Sequence, residues 1–291
     1  MIHTIQNNFL SVSVLHKGAE ISSLKSLKTG QEFMWNANPD IWGSHAPVLF
    51  PIIGCLKDGK YNYKGKEYSI PKHGILRNNE NLELESISKD SLTLKYTYDA
   101  HSLKMFPFEF EFYITFKLVE SKLIVDHKVV NLGDNEMLFS LGAHPGFNCP
   151  LKEGEKYSDY YLEFEHSETD HTWNVSKEGL ISGEAELVLD NTNILPLTDT
   201  LFDKDALIFK NLKSRLVSLK NKNNDTTLTL SFPDFNYLGI WAKPKAPFVC
   251  IEPWLGIADS EDSNGNFVEK EGVIKVKAKE MFEAGFVVEL R

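Results

Sequence analysis

The chain contains no run of about 18 consecutive apolar residues, so no membrane-spanning helix is expected. Its start, "MIHTIQNNFLSVSVLHKGAE", lacks the basic segment and the unbroken apolar segment of a secretory signal, and a cytoplasmic location is the expectation. Cysteine is scarce. Cys55, Cys149 and Cys250 are odd in number, far apart and without CxxC spacing, which argues against a disulfide framework or a thiolate metal site and fits buried thiols in a reducing compartment. The histidine patterns HxxxH and HExxH are also missing. Positive charge is in deficit, with 31 Lys and Arg against 41 Asp and Glu and a net charge of -10. That balance excludes nucleic acid and an anionic membrane surface as expected partners and leaves a small neutral or locally clamped ligand. Long amphipathic helical windows are few, and internal repeats and Pro/Ser linkers are absent.

What is present is alternation. Period-two patterns recur in "NLELESI", "SLTLKYTY", "FEFEFYITFKL", "KLIVDHKVV", "YYLEFEH", "TTLTLSF", "GVIKVKA" and "GFVVEL", each short and rich in β-branched or aromatic residues. Turn signals such as "LKTGQ", "YKGKE", "SKDS", "NLGDN" and "KNKNND" separate them at hairpin spacing. An all-β fold follows: a large antiparallel β-sandwich whose strands bury one face and wet the other. The 42% hydrophobic content supplies a large core without metals or disulfides, and a single domain over 1–291 is expected. The acidic, turn-rich stretch from Glu165 to Thr200 has the weakest alternation and reads as long surface loops.

Three segments break the strand-and-turn pattern by setting titratable groups beside glycine or proline. In "PKHGILRNNE", His73 and Arg77 project from one short loop. In "SLGAHPGFNCP", His144 ends an apolar strand and Pro145-Gly146 turns the chain. In "FVCIEPWLGIADS", Glu252 closes a run that reads as a buried strand, where a carboxylate is costly without a partner. A histidine at a strand end is more often a hydrogen-bonded structural residue, and a glutamate before proline can simply face solvent. Read from residues alone, the three segments amount to a His/Glu acid-base site in a β-sandwich. His3, His16, His101, His127, His166 and His171 lack such context and read as structural; His45, in "GSHAPVLFPIIG", stays undecided.

Taken in order, "PVLFPIIG", "HGILRN", "GAHPGF" and "CIEPW" resemble the signature of the aldose 1-epimerase (mutarotase) family, in particular its LacX-like branch. The similarity extends from "GAEISSLKS" and "FMWN" near the start to "CIEPWLGIAD" near the end, and so covers nearly the whole chain. The resemblance implies a galactose-mutarotase-type supersandwich and an enzyme that interconverts the α and β anomers of an aldose, a hexose or a hexose phosphate. It implies His144 as general acid and Glu252 as general base. It implies His73, Arg77 and an upstream aspartate, Asp205 with Asp203 as the neighbouring choice, as substrate-binding residues. Trp254 is the tryptophan expected to stack on the sugar, with Trp35, Trp42 and Trp241 read as core. Ile75 and Leu76 replace the family's Phe-Ala, a departure expected in the pocket wall. The partner implied is a small-molecule sugar, and the chemistry requires neither cofactor nor metal; oligomeric state carries no signal. Two competing classes are a non-catalytic carbohydrate-binding or sensor protein and a glycoside hydrolase, in which Asp259 or Asp205 would partner Glu252.

Overall fold

A computed structural model describes residues 1–291, and antiparallel β-structure dominates it, as the alternation predicts. One fifteen-stranded sheet runs from the short strand Val48–Leu49 through Leu141–Ala143, Phe248–Leu255, Tyr237–Trp241, Leu207–Phe209 and Tyr160–Val175, and continues to the edge strand Glu83–Ile87. A three-stranded sheet, Ile2–Gln6, Leu10–Leu15 and Glu20–Ser26, lies apart from it in pairing. The only α-helix is the four-residue Ser102–Met105. No helix is long and apolar enough to cross a membrane.

Period two decides which side chains enter the core. In Phe110–Val119, Phe110, Phe112, Ile114, Phe116 and Leu118 are buried while the residues between them are not. Its neighbour Lys122–Asn131 alternates in register with it and with Met281–Leu290. Each such fully buried Phe, Ile or Leu contributes about 1.5–3 kcal/mol, so these strands hold their register by their inward faces. Phe248–Leu255 differs in being buried at every position, because both faces of this central strand are covered.

The stretch from Glu165 to Thr200 corrects the reading of long loops. It belongs to a hairpin of two sixteen-residue strands, Tyr160–Val175 and Ile181–Pro196, whose register shifts four times along its length. Each bulge inverts the alternation, which hides the strands from a period-two reading. Two of the hairpin's acidic residues are not surface charge either. Glu168 and Asp170 are 2% and 3% exposed. Glu168 accepts hydrogen bonds from the Lys213 and Ser214 backbone N–H groups, and Asp170 accepts from Asn211, so the pair caps the turn before Leu216–Asn221. The far end of this hairpin, Val175 to Gly179, reaches the cavity described next.

Candidate active site

The strand that ends in His-Pro-Gly is half of an interrupted ladder. Leu141–Ala143 and Gly146–Asn148 both pair with Phe248–Leu255, Gly142 lying opposite Trp254 and Gly146 opposite Cys250. The register is the same on both sides of the break, which sets His144 opposite Glu252. Pro145 has no N–H to give the ladder, and its carbonyl still accepts from Ile251. On the other side Gly239 pairs with Glu252 and Ile208 with Gly239. One row across the sheet therefore reads His144, Glu252, Gly239, Ile208. Because side chains two apart share a face, Cys250 and Trp254 flank Glu252 on that same face.

Gly239 has a specific reason to lack a side chain. A Cβ there would lie 2.6 Å from Trp254 Cζ2 and Cη2, and one at Gly142 would lie 2.8 Å from Trp254 Cδ1. The indole thus lies across the backbones of both flanking strands, beside the cavity.

The row floors a cavity of about 300 Å³ whose lining includes His73, Arg77, His144, Asp205, Glu252 and Trp254, the six residues named from sequence. His144 Nε2 stands 3.3 Å from Glu252 Oε2, with side chains 11% and 2% exposed. Three buried polar atoms at this floor have no hydrogen-bond partner: His144 Nδ1, Glu252 Oε2 and Trp254 Nε1. Buried polar groups are nearly always satisfied, so a cluster of unpartnered ones is suited to a polar ligand. Desolvation pushes the Glu252 pKa well above the usual carboxylate range; the Lys72 charge and the nearby Trp254 N–H oppose it, and Asp205 adds to it. Burial, helped by Arg77 and Lys72, pushes His144 down to about 3. A carboxylate neighbour taken by itself would raise the histidine. Burial overrides it, since both charged forms lose their hydration. Burial thus disfavours the charged form of both members of the pair.

His73 sits in the left-handed region at φ 67°, unusual for a residue with a side chain. Its backbone N–H donates to the Gly54 carbonyl, and its Nδ1 accepts from the Gly54 N–H at 3.2 Å. Neutral His73 therefore carries its proton on Nε2. Desolvation, with the neighbouring His144, Lys72 and Arg77 charges, holds its pKa well below 6.5. Gly74 must be glycine, since a Cβ would fall 2.1 Å from the Phe50 carbonyl oxygen. Arg77 has no carboxylate within salt-bridge distance and donates to Ser44 Oγ at 3.3 Å, so it is not a structural ion pair. Asp205 lines the cavity at φ 100° and is exposed at its rim; Asp203 is not in the lining.

Several expectations change here. Trp42 and Trp241, read as core, line the cavity and hold His144, Trp42 stacked on it at 5.0 Å and Trp241 edge-on at 5.8 Å. Trp35 does belong to the core. Leu76 is buried in the core and Ile75 lies outside the lining, so the departure from Phe-Ala leaves the cavity wall untouched. Asp259 is held by Lys270 at 2.8 Å, both buried, and is unavailable to partner Glu252. His45 is structural: its Nδ1 meets the Trp35 carbonyl and its own carbonyl accepts from Gly146. Trp42 had no local signal, but Trp241 had one, since alternation along "YLGIW" places it with Gly239 and Tyr237 on one face.

Comparison with known proteins finds relatives along nearly the whole chain. A family model described as aldose 1-epimerase matches residues 1–275. The plasmid-encoded protein LacX of Lactococcus lactis subsp. lactis is 34% identical over 284 residues, 94% of this chain and 93% of that protein. A solved galactose mutarotase related enzyme from Lactobacillus acidophilus is 39% identical with a TM-score of 0.95, covering 100% of this chain and 97% of its own. A galactose mutarotase-like protein from Lactobacillus casei ATCC 334 is 30% identical with a TM-score of 0.94, covering 100% of both chains.

Proposed function

Since the chain belongs to the aldose 1-epimerase family, an isomerase family of mutarotase type, we propose that it interconverts the α and β anomers of an aldose, by general acid-base catalysis at His144 and Glu252. The observation that carries this reading is their mutual placement. Two proton-transfer groups from distant parts of the chain face each other at 3.3 Å on the floor of a sugar-sized cavity. Opening a cyclic hemiacetal removes a proton from the anomeric hydroxyl and delivers one to the ring oxygen, which needs two such groups on one small ring. Breaking the C1–ring oxygen bond leaves an aldehyde, rotation about C1–C2 presents its other face, and closure with the two roles exchanged yields the other anomer.

A single proton shared by the pair is sufficient. Sugar hydroxyls donating to Glu252 stabilise its carboxylate and move the shared proton towards His144, which then protonates the ring oxygen while Glu252 takes the anomeric proton. His73, donating from Nε2, and Asp205, accepting at the rim, orient hydroxyls; Arg77 offers a fork to two acceptors, and Trp254 Nε1 supplies one further donor. Trp42 and Trp241 keep the imidazole in place.

A general acid or base contributes about 100- to 10,000-fold. Glu252→Gln and His144→Asn should therefore lower the anomer exchange rate by that order and leave sugar binding roughly intact. Exchange followed by NMR on free and phosphorylated aldoses tests this and identifies the sugar. A variant rate within threefold of wild type removes the assignment, and no acceleration on any aldose by the wild-type protein turns the reading towards a binding module.

A further inference from the structure

Behind the lining of the cavity lies one chemically distinctive group that anomer exchange does not use. Cys250 lies two residues before Glu252 on the same strand, fully buried, on the face that carries His144 and Glu252. One ring nitrogen of His144, the Cys250 Sγ and a Glu252 carboxylate oxygen all lie within 4.8 Å of one another. We propose that these three side chains form a binding site for a thiophilic divalent cation of the zinc class, whose fourth position opens into the cavity and whose occupation stops catalysis.

The chemistry of the donors favours that class. Thiolate, imidazole and carboxylate together suit zinc and its soft neighbours, while magnesium and calcium select all-oxygen sites. Distances fit as well. With metal–ligand bonds of about 2.0–2.3 Å, tetrahedral donors stand roughly 3.3–3.6 Å apart. The His144 Nε2 to Glu252 Oε2 separation of 3.3 Å already has that value. With the three donor atoms within 4.8 Å of one another, the sulfur needs to close by up to about 1.2–1.5 Å, within reach of a side-chain rotation. A second, independent observation also points to a ligand. Glu252 Oε2, the carboxylate oxygen that faces the imidazole, is buried without a hydrogen-bond partner on a side chain only 2% exposed. Three protein ligands and one open position is the arrangement of an accessible zinc site rather than a closed structural one.

The consequence for function rests on the mutarotase reading. A cation held here takes the lone pairs of both proton-transfer groups, so metal and sugar compete for one floor. Cys250 contributes to the first and not to the second, and it is the residue to change.

Protein stripped with chelator is titrated with Zn2+ by calorimetry and with Co2+ by absorption, beside anomer exchange in the same samples. The expected result is one Zn2+ per chain, a thiolate-to-cobalt charge-transfer band, and loss of exchange in proportion to occupancy, with Mg2+ and Ca2+ inert. Cys250→Ser should keep metal-free exchange within threefold of wild type, abolish the band and weaken Zn2+ binding and inhibition together by at least tenfold. Cys250→Ala, which buries no hydroxyl, gives a second variant if the serine protein fails to fold. Equal Zn2+ affinity in wild type and both variants, with no charge-transfer band, overturns the proposal. If stripped wild-type protein exchanges no aldose, the mutarotase reading fails instead, and the calorimetric comparison still decides the metal site.

Discussion

His144 and Glu252 were both legible as single residues, because an imidazole and a carboxylate stood beside proline at the ends of apolar runs. Their protonation was not legible. Reference values place a free histidine near 6.5, and a nearby carboxylate raises it. In the folded chain, burial lowers His144 to about 3 and raises Glu252, so it works against the charged form of each. The sign of the effect on activity follows. A lowered histidine stays neutral as pH falls through the usual histidine range, so kcat/KM, which reports the free enzyme, should show no loss from protonation of His144 between about pH 7 and about pH 5. An acid limb with a midpoint near pH 6.5 in the kcat/KM profile contradicts this account of the pair. His73 makes the same point about strain. Its positive φ has no trace in "PKHGIL", yet that conformation lets Gly54 hold both its backbone and its ring.

At the scale of the element, strand Phe248–Leu255 explains why the site is where it is. Its residues Cys250, Glu252 and Trp254 share a face, and the strands beside it provide His144 on one side and Gly239 on the other. The glycine is where a small change should tell most. Gly239→Ala drives a methyl to 2.6 Å from the Trp254 ring, an overpacking that costs about 1–3 kcal/mol and displaces the indole from the cavity wall. Urea unfolding and kcat should both fall; stability within about 0.5 kcal/mol of wild type and unchanged kcat would show the ring has room to move. The bulged hairpin Tyr160–Val175 and Ile181–Pro196 marks the limit of pattern reading at this scale. Four register shifts erase the alternation, and its buried carboxylates look like surface charge until the turn they cap is in view.

Across the whole molecule, buried histidines link stability to pH. His127, set down from sequence as having no role in chemistry, is 1% exposed among Phe112, Phe235 and Phe286, with Nδ1 against the Ala284 carbonyl. Desolvation lowers its pKa to about 4. Between that value and about 6.5 the unfolded chain binds the proton and the folded chain does not, so stability falls as pH falls through this window by up to about 1.4 kcal/mol per unit. His127→Leu removes this term. Between pH 7 and pH 4.5 the variant should lose about 2 kcal/mol less than wild type in urea unfolding, and equal losses would mean His127 already carries its proton in the folded state. The sequence by itself determined the all-β class, the family and the residue types of the site, because alternation, turn chemistry and ordered short motifs are local properties of the chain. Only the tertiary structure decided that His144 faces Glu252, that Trp42 and Trp241 hold the imidazole, that Asp259 is withdrawn into an ion pair, and that burial shifts both members of the pair away from their charged forms. Those depend on strand register and on the exclusion of water, and both arise only when segments more than a hundred residues apart are packed side by side.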